Sequence, residues 1–191
     1  PPGAKMVYEK IKPNAPFGCM NGGGVYDYVK GEMIWFLEID HASFEVIKFV
    51  EKNFPDMGIK VAAKERTYCH KKNAYTERHR IEENLGEIMM HYEKVEEPIA
   101  KVLFADAPEK IDALSEALKK ETFGEKFNLL RSDSIYFEVL PKNSDKGNLL
   151  VKIAQILGID IKNTIAIGDN DNDVAMLRAA GTSYAVSNAS P

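Results

Sequence analysis

Thr164-Ile165-Ala166-Ile167-Gly168-Asp169-Asn170-Asp171-Asn172-Asp173 is the stretch that decides the reading of this chain. Residues 164–167 form a nearly unbroken apolar run, the pattern of a parallel strand covered on both faces. Three carboxylates then fall within residues 169–173, at the carboxyl edge of that strand, where like charges repel in a partly dry crevice. A cation is expected to compensate them. Asp169 ends the strand and Asp173 lies in the first turn of a helix over 171–180 that Gly181 stops, so the two can converge on one point while Asp171 turns aside as the N-cap. Hard oxygen donors of this kind suit Mg²⁺. The same Asp and Asn residues would equally serve as helix caps, since the helix dipole accepts acidic residues in its first turn. A calcium loop is excluded, because it needs a flanking helix on each side and a bidentate Glu at its twelfth position, and here a strand precedes.

Working outward, residues 145–157 form an amphipathic helix with Leu149, Leu150, Ile153, Ile156 and Leu157 on one face and Gly158 as its stop. It opens with Ser144-Asp145-Lys146-Gly147, which puts a cation where the macrodipole disfavours one. Broken local rules cluster at functional sites, and a fixed ammonium here could hold a phosphate or offset a carboxylate nucleophile. The plain alternative is a solvated lysine paired with Asp145. Downstream, residues 184–186 read as the next strand, completing a right-handed crossover whose ligands sit beyond the carboxyl ends of the strands.

The rest of the chain reads as a helix over 4–11, a strand over 17–20, a turn at Asn21-Gly22-Gly23-Gly24 and a hairpin of strands 25–28 and 33–39. A mixed α/β block follows: helix 43–53, strand 59–63, helix 72–84, strands near 89–92 and 100–104, helix 109–120, and strands 127–130 and 135–140.

Of the 191 residues, 45% are hydrophobic and 28% charged, as expected of a folded globular protein. A net charge of −4 provides no basic field for nucleic acid or anionic lipid, so small-molecule chemistry is expected. Cys19 and Cys69 make no disulfide framework, no run is long enough to span a membrane, and a cytoplasmic setting fits. The start at Pro1-Pro2 and the stop at Ser190-Pro191 look like cut ends. Gly22-Gly23-Gly24 lacks the Gly-Lys-Ser/Thr of a phosphate loop and reads as a tight turn. Cys69, His70 and His79 match no zinc spacing, and Tyr75, Arg78, His79 and Arg80 read as a helix face with i,i+4 charge pairs.

Ser144-Asp145-Lys146-Gly147, the apolar strand, Gly168 to Asp173 with Met176-Leu177 and Ala179-Ala180-Gly181, and then Tyr184 to Ala189 together resemble the haloacid dehalogenase phosphatases, in the Cof-like subgroup with a large α/β cap. Phe17 to Gly23 is similar to the strand and Asn-Gly turn that follow the family's second motif, and Arg131-Ser132 through Leu140-Pro141 resembles the return from the cap. The resemblance implies an α/β fold: a three-layer Rossmann-like core from residues 1–40 and 132–191, with an α+β cap from 41–131 inserted and the active site between them. It implies that Lys146 is the third motif, steadying nucleophile and phosphoryl group, that Asp169 and Asp173 hold Mg²⁺, and that Asn172 touches the substrate phosphate. The substrate class implied is a small phosphorylated metabolite such as a sugar phosphate. The family's Asp-x-Asp-x-Thr, whose first Asp is the nucleophile, occurs nowhere in the sequence, nor does its second motif. The chain alone is therefore expected to be inactive, with the nucleophile just upstream. Two other functions fit the same residues: a non-catalytic subunit that only binds metal, and a phosphomutase on the same core.

Overall fold

The computed structural model describes residues 2–190. In chain order, α1 (Pro2–Ile11) leads to β1 (Phe17–Cys19), a 3-10 turn at Met20–Gly22, and the strands β2 (Gly24–Asp27) and β3 (Glu32–Phe36). Then come α2 (Ser43–Asn53), β4 (Gly58–Ala63), β5 (Thr67–Lys71), α3 (Ala74–Glu82), β6 (Glu87–Met89), β7 (Ile99–Ala105), α4 (Pro108–Lys119), the short α5 (Phe123–Lys126), β8 (Phe127–Asp133) and β9 (Tyr136–Pro141). The last part gives α6 (Lys146–Leu157), β10 (Ile165–Gly168), α7 (Val174–Ala179) and β11 (Thr182–Ala185). The chain divides into two compact units, one holding Leu37–Lys142 with the first residues as far as Lys10, the other holding Ile11–Phe36 and the chain from Asn143.

The first unit is built on a six-stranded sheet of order β6-β5-β4-β7-β9-β8. All its pairings are antiparallel except β5 with β6. Period-2 alternation sends Ile59 and Val61 of β4, Val102 and Phe104 of β7, and Phe137 and Val139 of β9 to one face. There they meet Val46, Ile47 and Val50 of α2 and Ile111, Leu114 and Leu118 of α4, all fully buried. Each such side chain contributes about 1.5–3 kcal/mol by leaving water, which makes this layer the main source of the unit's stability. Helix α2 stops at Phe54, before Pro55 biases the backbone away from helix, and α4 starts on Pro108, whose missing N–H costs nothing in a first turn.

The opposite face of the sheet mixes buried charge with a smaller apolar cluster of Leu103, Ala105, Ile135 and Tyr136. Lys60 is 1% exposed, with its ammonium 2.6 Å from Glu87, and Lys101 stands 2.7 Å from Glu138, which also accepts from Ser132 Oγ. Helix α3 lies on β4, capped by Asn73, whose Oδ1 accepts from Tyr75 N and Thr76 N while its Nδ2 donates to the Ala105 carbonyl. Burial, helped by the charges of Lys60 and Lys101, pushes the His79 imidazole on α3 down to about 4. Burial and the nearby Glu82 carboxylate push Tyr136 up to about 12.

In the second unit, β1, β2 and β3 form an antiparallel sheet, and β10 and β11 a parallel pair joined through α7. Asp145 caps α6 by accepting from Asn148 N at 2.8 Å, and Gly158 ends it at φ 66°, a left-handed position that glycine adopts without a Cβ clash. Ala166 and Gly168 of β10 are buried, whereas Ile165 and Ile167 are 67% and 63% exposed. The whole is a Rossmann-like α/β core with an inserted α+β unit, as the sequence predicts.

Strand β9 pairs between β7 and β8, and the boundaries between the two contact units fall at 10/11, 36/37 and 142/143. Several expectations are corrected. The apolar run of β10 is covered on one face only among the described residues. Thr67–Lys71, read as no element, is a strand, because Tyr68 and Cys69 are both buried in the sheet. The strand expected over 89–92 is Glu87–Met89, followed by a 3-10 turn.

Candidate active site

Strand β10 ends at Gly168, and the chain turns through Asp169 and Asn170 into a 3-10 turn, Asp171–Asp173, before α7 begins. The cap of this turn is Asn170, whose Oδ1 accepts from Asp171 N at 2.8 Å. Asp171, expected as the cap, instead occupies the first position of the turn and accepts from Ser190 Oγ at 3.5 Å. The reason is geometric: Asn170 has the extended backbone (φ −137°) that a cap residue needs.

Asp173 is the centre of the arrangement. Its Oδ2 accepts from the N–H groups of Asp169 at 3.0 Å and Asn170 at 3.2 Å, which closes the loop, and its Oδ1 lies 2.5 Å from Lys146 Nζ. Lys146 Nζ also donates to Asn172 Oδ1 at 3.2 Å. Asp173 is 4% exposed. Burial alone would raise its carboxyl pKa, but the Lys146 hydrogen bond, the Asp169 N–H, the ammonium charge and the Asn170 N–H outweigh it, so the pKa lies below the ordinary carboxylate value. A lysine at a helix N-terminus thus has its local compensation in the folded chain.

Two glycines permit this approach. A Cβ on Gly168 would sit 2.5 Å from the Asp173 Cβ, and one on Gly147 would sit 2.5 Å from the Ala175 carbonyl oxygen. Without side chains there, the start of α6 lies directly against the start of α7, and Lys146 reaches Asp173. A cavity of about 320 Å³ has Lys146 among its walls, together with Met20, Asn21, Leu149, Ile153 and Met176.

Lys146, Asn172 and Asp173 are therefore brought together. Asp169 joins the group through its backbone N–H, and the residue itself is exposed at the end of β10. Among the described residues no three His, Cys, Asp or Glu side chains gather in a way that could hold a metal ion. Asn21, at the cavity wall, carried no functional signal in the sequence beyond its place in an Asn-Gly turn. Among the described residues no helix is long and apolar enough to cross a membrane.

Curated relatives from Bacillus subtilis and Streptococcus pyogenes match at 34% and 30% identity, over 58% and 90% of this chain. The chain spans only 42% and 64% of their lengths. The 5-amino-6-(5-phospho-D-ribitylamino)uracil phosphatase YwtE of Bacillus subtilis is 37% identical over 41% of this chain and 28% of its own. In fold, the chain is similar to a haloacid dehalogenase-like hydrolase from Bacteroides thetaiotaomicron, with a TM-score of 0.83 at 20% identity over 98% of this chain and 72% of that one. The sequence profile described as haloacid dehalogenase-like hydrolase matches residues 1–191. With that profile matched across all 191 residues, the chain belongs to the haloacid dehalogenase-like hydrolase family.

Proposed function

We propose that this chain is the larger part of a Mg²⁺-dependent phosphatase of the Cof-like subgroup, which hydrolyses a small phosphorylated metabolite through an aspartyl-phosphate intermediate in the cytoplasm. The observation that carries the reading is the ammonium of Lys146, held 2.5 Å from Asp173 at the loop that follows a parallel strand. A cation fixed there is prepaid electrostatic stabilisation for a transferring phosphoryl group, whose charge spreads over its outer oxygens. The nucleophile and the general acid–base would lie on a segment outside these 191 residues, since the sequence contains no Asp-x-Asp-x-Thr. In this reading the unit of the six-stranded sheet is the cap, which excludes water and selects the substrate.

The donor set fits Mg²⁺ in chemistry, being all oxygen. Both Asp173 oxygens are already engaged, one by Lys146 and one by two N–H groups, so Asp173 would serve the ion through its waters. The exposed Asp169 would be the direct ligand. A bound Mg²⁺ would neutralise phosphoryl oxygens and align the ester. Asn172, whose Oδ1 accepts from Lys146, would offer its amide N–H group to a phosphate oxygen.

The test is phosphate release from a panel of sugar phosphates by the protein carrying its upstream segment, with and without Mg²⁺. Asp169→Asn should remove most of the metal-dependent rate, and Lys146→Ala should lower kcat more than it changes KM. Undiminished turnover in Asp169→Asn would end the metal assignment. Isomer formation without free phosphate would mean a mutase.

A further inference from the structure

Met20, Asn21 and Gly22 are three consecutive residues at positive φ, 56°, 49° and 103°. For methionine and asparagine the left-handed region costs on the order of 1 kcal/mol or more each, so surrounding contacts must hold the turn in place. Those contacts are with the segment that launches α6. A Cβ on Gly22 would stand 2.3 Å from the Asp145 carbonyl oxygen, 2.4 Å from its carbon and 2.6 Å from its nitrogen, so backbone lies directly on backbone. Ser144, fully buried, donates from Oγ to the Asn21 carbonyl at 3.3 Å, and Gly23 N closes the turn on Met20 O at 3.0 Å. Asp145 is the cap of α6, and the next residue is Lys146. Met20, Asn21, Gly22 and Lys146 line one cavity.

We propose that the Met20-Asn21-Gly22 turn is the positioning element of Lys146. The Gly22 backbone, seated on Asp145, sets where α6 begins, and so whether the Lys146 side chain reaches Asp173 and Asn172. None of the three turn residues has been given a role by the sequence motifs. The inference rests on the importance assigned to Lys146 above, but it concerns where that ammonium stands, which can be measured without turnover.

The experiment is competitive acetylation of the folded protein, with mass-spectrometric readout of Lys146 relative to Lys152 on the same helix. An ammonium whose N–H groups are taken up by Asp173 and Asn172 is less free to meet the reagent than one turned to solvent. Gly22→Ala should raise the Lys146 to Lys152 ratio by about threefold or more as Lys146 leaves Asp173. Gly31→Ala is the control: Gly31 also has positive φ (74°), but nothing lies within 4 Å of the added Cβ, so it carries the backbone strain without the collision and should leave the ratio unchanged. An unchanged ratio in folded Gly22→Ala, or an equal rise in Gly31→Ala, overturns the proposal. Should Gly22→Ala fail to fold by circular dichroism, Ser144→Ala removes the hydrogen bond to Asn21 without adding an atom and must move the ratio the same way, and no movement there overturns it. The phosphatase reading stands or falls separately, on phosphate release by Lys146→Ala.

Discussion

Lys146 Nζ and Asp173 Oδ1, 27 positions apart in sequence, stand 2.5 Å from each other, with the lysine side chain 30% exposed and the aspartate side chain 6%. The pair is asymmetric. Asp173 depends on the ammonium more than the ammonium depends on Asp173, because only the carboxylate is shut away from water.

Lys146→Ala should therefore lower unfolding free energy by about 1–3 kcal/mol, below the range for a fully buried pair because Lys146 is partly solvated. The double variant Lys146→Ala/Asp173→Asn should recover part of that loss, since a neutral amide needs no counter-charge. Urea midpoints of the four proteins in the cycle check both statements.

In the six-stranded sheet, Lys60 and Glu87 have side-chain exposures of 1% and 7% and lie 2.6 Å apart, an ion pair that falls short of hydrogen-bond alignment. Lys60→Met should cost about 3–5 kcal/mol by stranding the carboxylate, and Lys60→Met/Glu87→Leu should be near neutral or better. Chemical denaturation decides, and a double variant no more stable than the single one would mean the pair is not the source of the loss.

Acid should loosen this unit through His79. Its folded pKa of about 4 lies below the ordinary 6.5, so the unfolded chain binds more protons between those values and stability falls as pH drops from about 6.5 to 4. The full effect is up to about 3 kcal/mol. His79→Gln should flatten the pH dependence of the urea midpoint across that window, and an unaltered slope would remove His79 as its cause.

Gly181 follows α7, and a Cβ there would lie 1.9 Å from the Lys162 carbonyl oxygen. Gly181→Ala should cost at least about 2 kcal/mol, since backbone must move to admit the methyl group. Thermal unfolding by calorimetry measures it. The sequence read Gly181 as a helix stop, whereas its structural need is room.

That difference typifies what could be read from residues alone. Helix α2 came out with the predicted bounds because Val46, Ile47 and Val50 mark one face and Pro55 marks the end. Lys146 was legible because a cation at a helix start breaks a local rule. Strand β9 was legible as a strand but not as a member of the six-stranded sheet: all six of its residues are buried, so no alternation indicates a partner, and pairing with β7 is set by contacts far away in sequence. The two bonds from Asp173 to backbone N–H groups, and the positive φ at Met20, were invisible for a related reason. Side-chain identity says nothing of either, because both follow from how the loop closes in three dimensions.

The glycine contacts carry one more consequence. The sheet unit is filled by large side chains such as Phe104, Ile111 and Leu118, so it is vulnerable to subtraction, each truncation opening a void. The other unit is assembled where Gly22, Gly147 and Gly181 let main chain rest on main chain, so it is vulnerable to addition, each extra methyl meeting a carbonyl oxygen. A saturation-mutagenesis map of the protein would thus divide into two territories of opposite intolerance, and the frontier between them would trace the two units more sharply than any hydropathy profile.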